Sequence, residues 1–304
     1  MARNIGIALA LLALAVGSRI IYPMESLAIE VRADDLIPNT IFTNSMLVSL
    51  LVNIALIVLA VVAAGNMKAV PSGWQNFMEW AIEGLYNLFK GINAEYAQRV
   101  FPVIATIFFL VILSNWFGLL PGVGSIGICH AAEHNETSMS EIRLAVSAPV
   151  DNILPPSPFA EGSKYLGCQA GQGIIPFFRA PSADLNFTLA LALISVFYTL
   201  YLSISKLGAG YFGKFFNLNG VMSFVGILEF ISLLARIPAF TFRLFGNIFA
   251  GEVLLIVMIF LVPMVVPLPF YFFEVFVGFI QAFVFAVLTM AFIAIETQDH
   301  NEHH

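Results

Sequence analysis

Charge is what this chain has least of. Only 11% of its 304 residues are Asp, Glu, Lys or Arg and 60% are hydrophobic, whereas soluble domains carry about 25% charged residues. The mean hydropathy is +0.91. So little polar surface cannot cover a water-soluble globule of this size, which excludes a soluble fold. The net charge of −6 comes with no basic patch, which excludes nucleic acid as a partner. Cysteine is also scarce: Cys129 and Cys168 lie in one polar segment. They can form a single disulfide in an oxidising compartment and are ordinary thiols in a reducing one. No internal repeat is visible, which counts against the two matched halves usual in secondary transporters.

What is present is a series of apolar runs. A hydrocarbon core takes about 20 predominantly apolar residues to cross. Residues 1–22 have a basic start and a short apolar run, the pattern of a secretory signal or short anchor. With the acidic residues after them they make an external N-terminal region, 1–40. Membrane helices are expected over 46–64 and 101–120. Between them WQNFMEWAIEGLYNLFKGI reads as an interfacial amphipathic helix, so 41–121 is one membrane unit. Residues 122–181 are rich in Gly, Pro, Ser and charge and form an external polar insert. A third span covers 185–204. The rest of the membrane domain, 182–298, is apolar with expected breaks at Pro238, Pro263, Pro267 and Pro269. It yields segments 221–262 and 270–296. The first is too long for an upright span, so it is strongly tilted or a hairpin of two helices. A polar tail, 299–304, closes the chain. The expected class is all-α, a polytopic membrane protein with five to six membrane helices.

Lys68, Lys90 and Arg99 fall between the first two spans, and Lys206 and Lys214 follow the third. With alternating spans both sets lie on one side, and positive loops mark the cytoplasmic face. The insert is then external and the C-terminus cytoplasmic. Its Arg143, Lys164 and Arg179 do not contradict this, because long loops translocate largely regardless of charge.

Five ionisable residues interrupt the last two apolar segments: Glu229, Arg236, Arg243, Glu252 and Glu274, accompanied by Asn247 and Gln281. A charge at the bilayer centre costs about 2.5–3.5 kcal/mol on insertion scales, so such residues mark ion pathways by default. The alternative is structural ion pairs, or side chains that snorkel to the interface. For Arg236, beside Pro238, the two readings are balanced. Arg243 has apolar residues for more than a turn on both sides, which favours function. Arg243 and Asn247 share a helix face. Glu252, nine residues on, lies roughly on the opposite side, so it does not neutralise Arg243. Glu274 and Gln281 share one face of the last helix. A buried arginine stays protonated, so it repels cations and attracts a carboxylate without carrying a proton. Carboxylates moved out of water hold protons more tightly, which suits them to relay protons.

The run from Thr241 to Glu252, TFRLFGNIFAGE, resembles the signature of the a subunit of F-type ATP synthases. Gln281-Ala282-Phe283, Arg179 to Asn186 (RAPSADLN), and Asn115 with Leu119-Leu120-Pro121 are similar to further motifs of that family. The resemblance covers about 40–121 and 176–298. It implies a stator channel that passes protons through two half-channels to and from the carboxylates of a rotating c-ring. Arg243 would face that ring and block the short circuit. Asn247, Glu252, Glu274 and Gln281 would line the half-channels, with Glu229 on the cytoplasmic side. Ser182, Asp184 and Asn186 would stand near the external entrance, and Asn115 at the end of the second span. Segment 221–262 would be the long tilted hairpin wrapping the ring. Partners would be the c-ring, the peripheral-stalk b subunit, the rest of the synthase and membrane lipid. The setting would be a bacterial plasma membrane. The chain would not be an enzyme on its own, and no cofactor or metal is implied. Members often carry a histidine where Glu252 and Glu274 both stand as acids, so the two are expected to titrate as a coupled pair. Some members also carry an acid at the position of Gly118.

Other signals are weaker. Gly122-Val-Gly-Ser-Ile-Gly127 follows a spanning helix and lacks the strand–turn–helix setting of a dinucleotide site. His130-Ala-Ala-Glu133-His134 matches HxxEH, but no further ligand stands at a typical spacing. Asn135-Glu-Thr137 is a glycosylation sequon only in a host that glycosylates such loops. An independent secondary transporter and a membrane metallohydrolase are the competing classes, and both leave Arg243 unexplained or unaccompanied by a repeat.

Overall fold

The computed structural model describes residues 43–65, 73–120, 127–131, 172–176, 178–208, 211, 221–261 and 266–297. The expected N-terminal anchor, the polar tail, the disulfide and the HxxEH group lie wholly or partly outside them. The described residues form α1 (Asn44–Gly65), α2 (Trp74–Ile92), α3 (Ala94–Gly118), α4 (Leu185–Leu207), α5 (Val221–Leu261) and α6 (Pro267–Glu296). Five of these are long and apolar enough to cross a membrane: α1, α3, α4, α5 and α6. A two-stranded antiparallel ribbon, β1 (Gly127–Ala131) with β2 (Gln172–Pro176), is the non-helical element within the polar insert, with Cys129 opposite Ile174. A single 3-10 turn, Pro181–Ala183, leads into α4.

Helix α2 is amphipathic as expected. Met78, Leu85 and Phe89, spaced by seven and four residues, are buried, while Glu79, Glu83 and Lys90 are exposed. Asn93 then caps α3 by accepting the Tyr96 N–H at 3.2 Å. Helix α4 stops at Gly208, whose φ of +59° is one that L side chains rarely adopt.

The core lies between α3 and α6. Val100, Ile104 and Val111 of α3 are fully buried with Ala282, Ala286, Met290 and Ile293 of α6. Helix α5 adds Phe240, whose ring centroid sits 4.7 Å from Phe285 and 5.7 Å from Phe292. In lipid, such helices associate through close packing and interhelical hydrogen bonds rather than the hydrophobic effect. The bond between Ser195 Oγ and Thr289 Oγ1 at 2.8 Å is one of these, tying α4 to α6.

Two expectations change. Segment 221–262 is not a hairpin of two helices. Residues Val221–Leu261 form one continuous helix of 41 residues, about 62 Å long at 1.5 Å per residue. That length is about twice the hydrocarbon thickness of about 30 Å, so α5 cannot stand upright within it. The hairpin is the α5–α6 pair instead. Nor does Pro238 break the chain: it lies inside α5. Proline is tolerated in membrane helices where neighbouring groups re-satisfy the freed backbone, and Thr241 Oγ1 donates to Ile237 O at 2.8 Å beside it. Pro267 and Pro269 fall in the first turn of α6, where an N–H has no intrahelical partner to lose.

Candidate ion-conducting site

At the end of the bundle where α3 stops and α4 starts, the chain packs a polar cluster around the 3-10 turn. Asp184 caps α4 through Oδ1, which accepts the Asn186 N–H at 2.9 Å. Its Oδ2 accepts a short hydrogen bond from Ser45 Oγ, in the first turn of α1. Asn44, fully buried beside it, accepts the Ser45 N–H at 2.8 Å. Arg179 is buried, with Nη2 3.7 Å from Glu252 Oε2. That separation makes an ion pair too long for a hydrogen bond.

Glycines allow this packing. A Cβ on Gly118 would sit 2.4 Å from Ala180 Cβ and 3.2 Å from its Cα. The end of α3 is thus pressed against the segment that carries Arg179, and no acidic side chain fits at 118. A Cβ on Gly251 would fall 1.9 Å from Glu274 Oε1, so the buried Glu274 carboxylate rests on the α5 backbone next to Glu252. Gly278 lets α6 meet α3, where Asn115 Nδ2 donates to Gly278 O at 2.9 Å. Trp116 Nε1 donates to Val275 O at 3.0 Å in the same contact.

Six buried oxygens on these elements have no hydrogen-bond partner among the described residues. They belong to Ser114, Asn115, Ser182, Glu252, Glu274 and Gln281. Buried polar atoms are ordinarily satisfied by protein or by ordered water. The cluster joins six sequence-predicted positions: Asn115, Ser182, Asp184, Glu252, Glu274 and Arg179. Gln281 stands about 10.5 Å along α6 from Glu274, on the same face. Asn186 does not join it by its side chain, which is exposed.

Arg243 stands elsewhere. Helix α5 turns Phe240, Leu244 and Ile248 inward, all buried. Phe242, Arg243, Asn247 and Ala250 are exposed on its outward side. Asn247 Nδ2 donates to Arg243 O at 2.8 Å, as their shared face requires. Among the described residues the Arg243 guanidinium has no acidic partner. An open groove of about 220 Å³ runs from Arg243 past Ala239 and Ala235 to Ser232.

A second cluster closes the opposite end. Arg236 Nη2 lies 2.6 Å from Glu296 Oε1, and its Cζ sits 4.4 Å from the Phe292 ring centroid. Tyr211, in the α4–α5 connection, donates its hydroxyl to Glu296 Oε2 at 3.1 Å. Burial pushes the Tyr211 phenol well above its ordinary range; the negative charges of Glu296 and Glu229 add to this and Arg236 opposes it. Half-buried Glu229 belongs to this end. Arg236 is thus a paired charge. Sequence reasoning passed over its partners: Glu296 reads as the polar end of an apolar run, and Tyr211 as an ordinary aromatic. Ser45, Asn44 and Ser114 were missed for the same reason, since small polar residues at helix ends are common.

The pattern of the ATP synthase A chain family matches residues 46–294. That decides the matter of kinship. The chain belongs to the ATP synthase A chain family. It is 30% identical over 268 residues to ATP synthase subunit a of Gloeobacter violaceus, covering 88% of this chain and 89% of that one. It is likewise 30% identical over 244 residues to ATP synthase subunit a of a Geobacter species, covering 80% and 82%. The same name belongs to a relative in Citrifermentans bemidjiense, again 30% identical over 244 residues. The chain is therefore a multi-pass membrane subunit of an F-type ATP synthase.

Proposed function

We propose that this chain is the stator channel of the synthase, passing protons through two half-channels to and from the carboxylates of a rotating c-ring. The observation that carries the reading is the placement of Arg243. It is exposed on the outward side of α5, without an acidic partner among the described residues, and polar clusters stand at both ends of the same helix. An unpaired cation in a membrane helix is costly, and a carboxylate presented by a neighbouring subunit would offset that cost. The small residues Ser232, Ala235, Ala239, Gly246 and Ala250 share that side of the helix, and small residues allow a second helix to approach closely.

Protons would enter at the Asp184 end, where the unpartnered oxygens of Ser182, Glu252, Glu274 and Gln281 suit a chain of water. Asn247, one turn from Arg243 toward Glu252, would line this entry side. Each proton would neutralise a ring carboxylate, travel round in the lipid and leave through the groove toward the Glu229 end. Arg243, always charged, would keep the two paths from joining. With the insert external, the Glu229 end and the C-terminus face the cytoplasm of a bacterial cell. The b subunit and the ring are the expected neighbours.

The test is ATP-driven proton pumping, with ATP hydrolysis assayed alongside, in membranes carrying the complex with Arg243→Ala. Pumping should vanish while the complex assembles and the soluble head still hydrolyses ATP. Pumping near the unaltered level would make Arg243 structural and remove the basis of the reading.

A further inference from the structure

Two arginines line one groove. Arg236 and Arg243 both border the open channel on the outward side of α5, separated by about 10.5 Å along the helix at 1.5 Å per residue. They are chemically alike, yet among the described residues only Arg236 has an acidic partner. Arg236 is held from two sides: Glu296 Oε1 at 2.6 Å and the Phe292 ring, whose centroid is 4.4 Å from its Cζ. The second oxygen of Glu296 is fixed by Tyr211, so its carboxylate is oriented by groups from two different elements. Glu229, on α5 itself, makes no ion pair with Arg236. The only acid paired with Arg236 among the described residues is therefore Glu296.

We infer that Glu296 is a positioning residue for ion conduction: by neutralising Arg236 and clamping it onto Phe292, it leaves Arg243 as the single uncompensated cation on the groove. This rests on the stator-channel reading. The physical reason is electrostatic. In surroundings poor in water, opposite charges still attract appreciably over about 10 Å. An unneutralised Arg236 would hold an arriving rotor carboxylate as an anion about two turns from the place where Arg243 receives it. One station would become two, and release of the proton toward the inner end would slow. The inner pair thus keeps Arg236 invisible to the ring.

The experiment uses membranes carrying the whole complex with Glu296→Gln, with Glu296→Gln combined with Arg236→Gln, and with Glu296→Asp. ATP-driven pumping and passive proton conduction after removal of the soluble head are both measured per assembled complex. Glu296→Gln should lower both by roughly tenfold, equivalent to about 1.4 kcal/mol on the barrier to conduction. The double variant should recover at least half of the unaltered rate, because removing the arginine removes the second station. Glu296→Asp should retain most of it. A Glu296→Gln complex that fails to assemble beside a double variant that assembles and pumps supports the same conclusion. The inference is overturned if Glu296→Gln pumps within twofold of the unaltered chain. It is equally overturned if the double variant is no better than the single one, or if neither assembles, since the pair is then only a structural clamp. Normal pumping by Arg243→Ala in the same membranes would instead sink the stator-channel reading on which this one stands.

Discussion

The two ends of the α5–α6 pair use the same ingredients and arrange them differently. At the end proposed as outer, Arg179 faces Glu252 across 3.7 Å, and oxygens of Glu252, Glu274 and Gln281 have no hydrogen-bond partner among the described residues. At the end proposed as inner, Arg236 meets Glu296 at 2.6 Å, and Tyr211 takes the remaining carboxylate oxygen. An arginine and a carboxylate therefore do not by themselves define a role. A loose pair with spare acceptors can bind water and exchange protons, whereas a tight pair with every carboxylate oxygen occupied is fixed in place. On the stator-channel reading proposed above, the outer cluster suits traffic and the inner one holding.

The contrast can be broken most severely at Gly118. Valine there would drive a side chain into Ala180, whose Cα is backbone and cannot step aside. Overpacking of this kind typically costs about 1–3 kcal/mol, occasionally more. Arg179 and Asp184 would lose their seat against α3, while Arg236 and Glu296 would be untouched. Quantified by co-purification with the ring, assembled complex carrying Gly118→Val should fall severalfold. An unchanged yield and unchanged pumping would show that the outer end tolerates repacking and is not the shaped entrance described above.

A smaller change tests traffic without disturbing packing. Glu274→Gln keeps the volume that rests on Gly251 but removes an ionisable group. If Glu274 relays protons, pumping should drop by roughly a hundredfold, the low end for losing a positioned proton-transfer group. Assembly should stay intact. A rate unchanged by the amide would reassign Glu274 to packing and leave Glu252 as the outer carboxylate.

How much of this was legible beforehand depended on sequence distance. Spanning helices announce themselves, because a long apolar run has few alternatives in a chain with so little charge. Arg243 was legible for the converse reason: a cation flanked by phenylalanines and leucines needs an explanation, and helical spacing alone put it beside Asn247 and away from Glu252. The partners were not legible. Glu252 finds its cation on a segment before α4, and Glu296 joins a tyrosine 85 residues away. No local pattern encodes such pairings; they follow from how the helices pack. Pro238 misled in the same way. Its tendency to break a helix is intrinsic, whereas the compensation by Thr241 and the neighbouring helices comes only with the assembled bundle.

The mildest perturbation concerns the seam between α1 and the outer cluster. Most of α1 contributes little to the core: Ile57, Val58, Val61 and Val62 are all exposed in the isolated chain. Its hold on the rest is concentrated in its first turn, where Ser45 Oγ donates to Asp184 across 139 residues of sequence. Ser45→Ala removes that donor while Asp184 keeps its cap on Asn186. A hydrogen bond to a charged group contributes about 1.5–3 kcal/mol, so the thermal midpoint of the detergent-solubilised complex should fall by a few degrees. Pumping should decline no more than about threefold, because the carboxylate itself remains and water can take the place of the hydroxyl. A loss as large as that of Glu274→Gln would mean that Ser45 is part of the proton path rather than its frame, and the boundary of the outer half-channel would then move into α1.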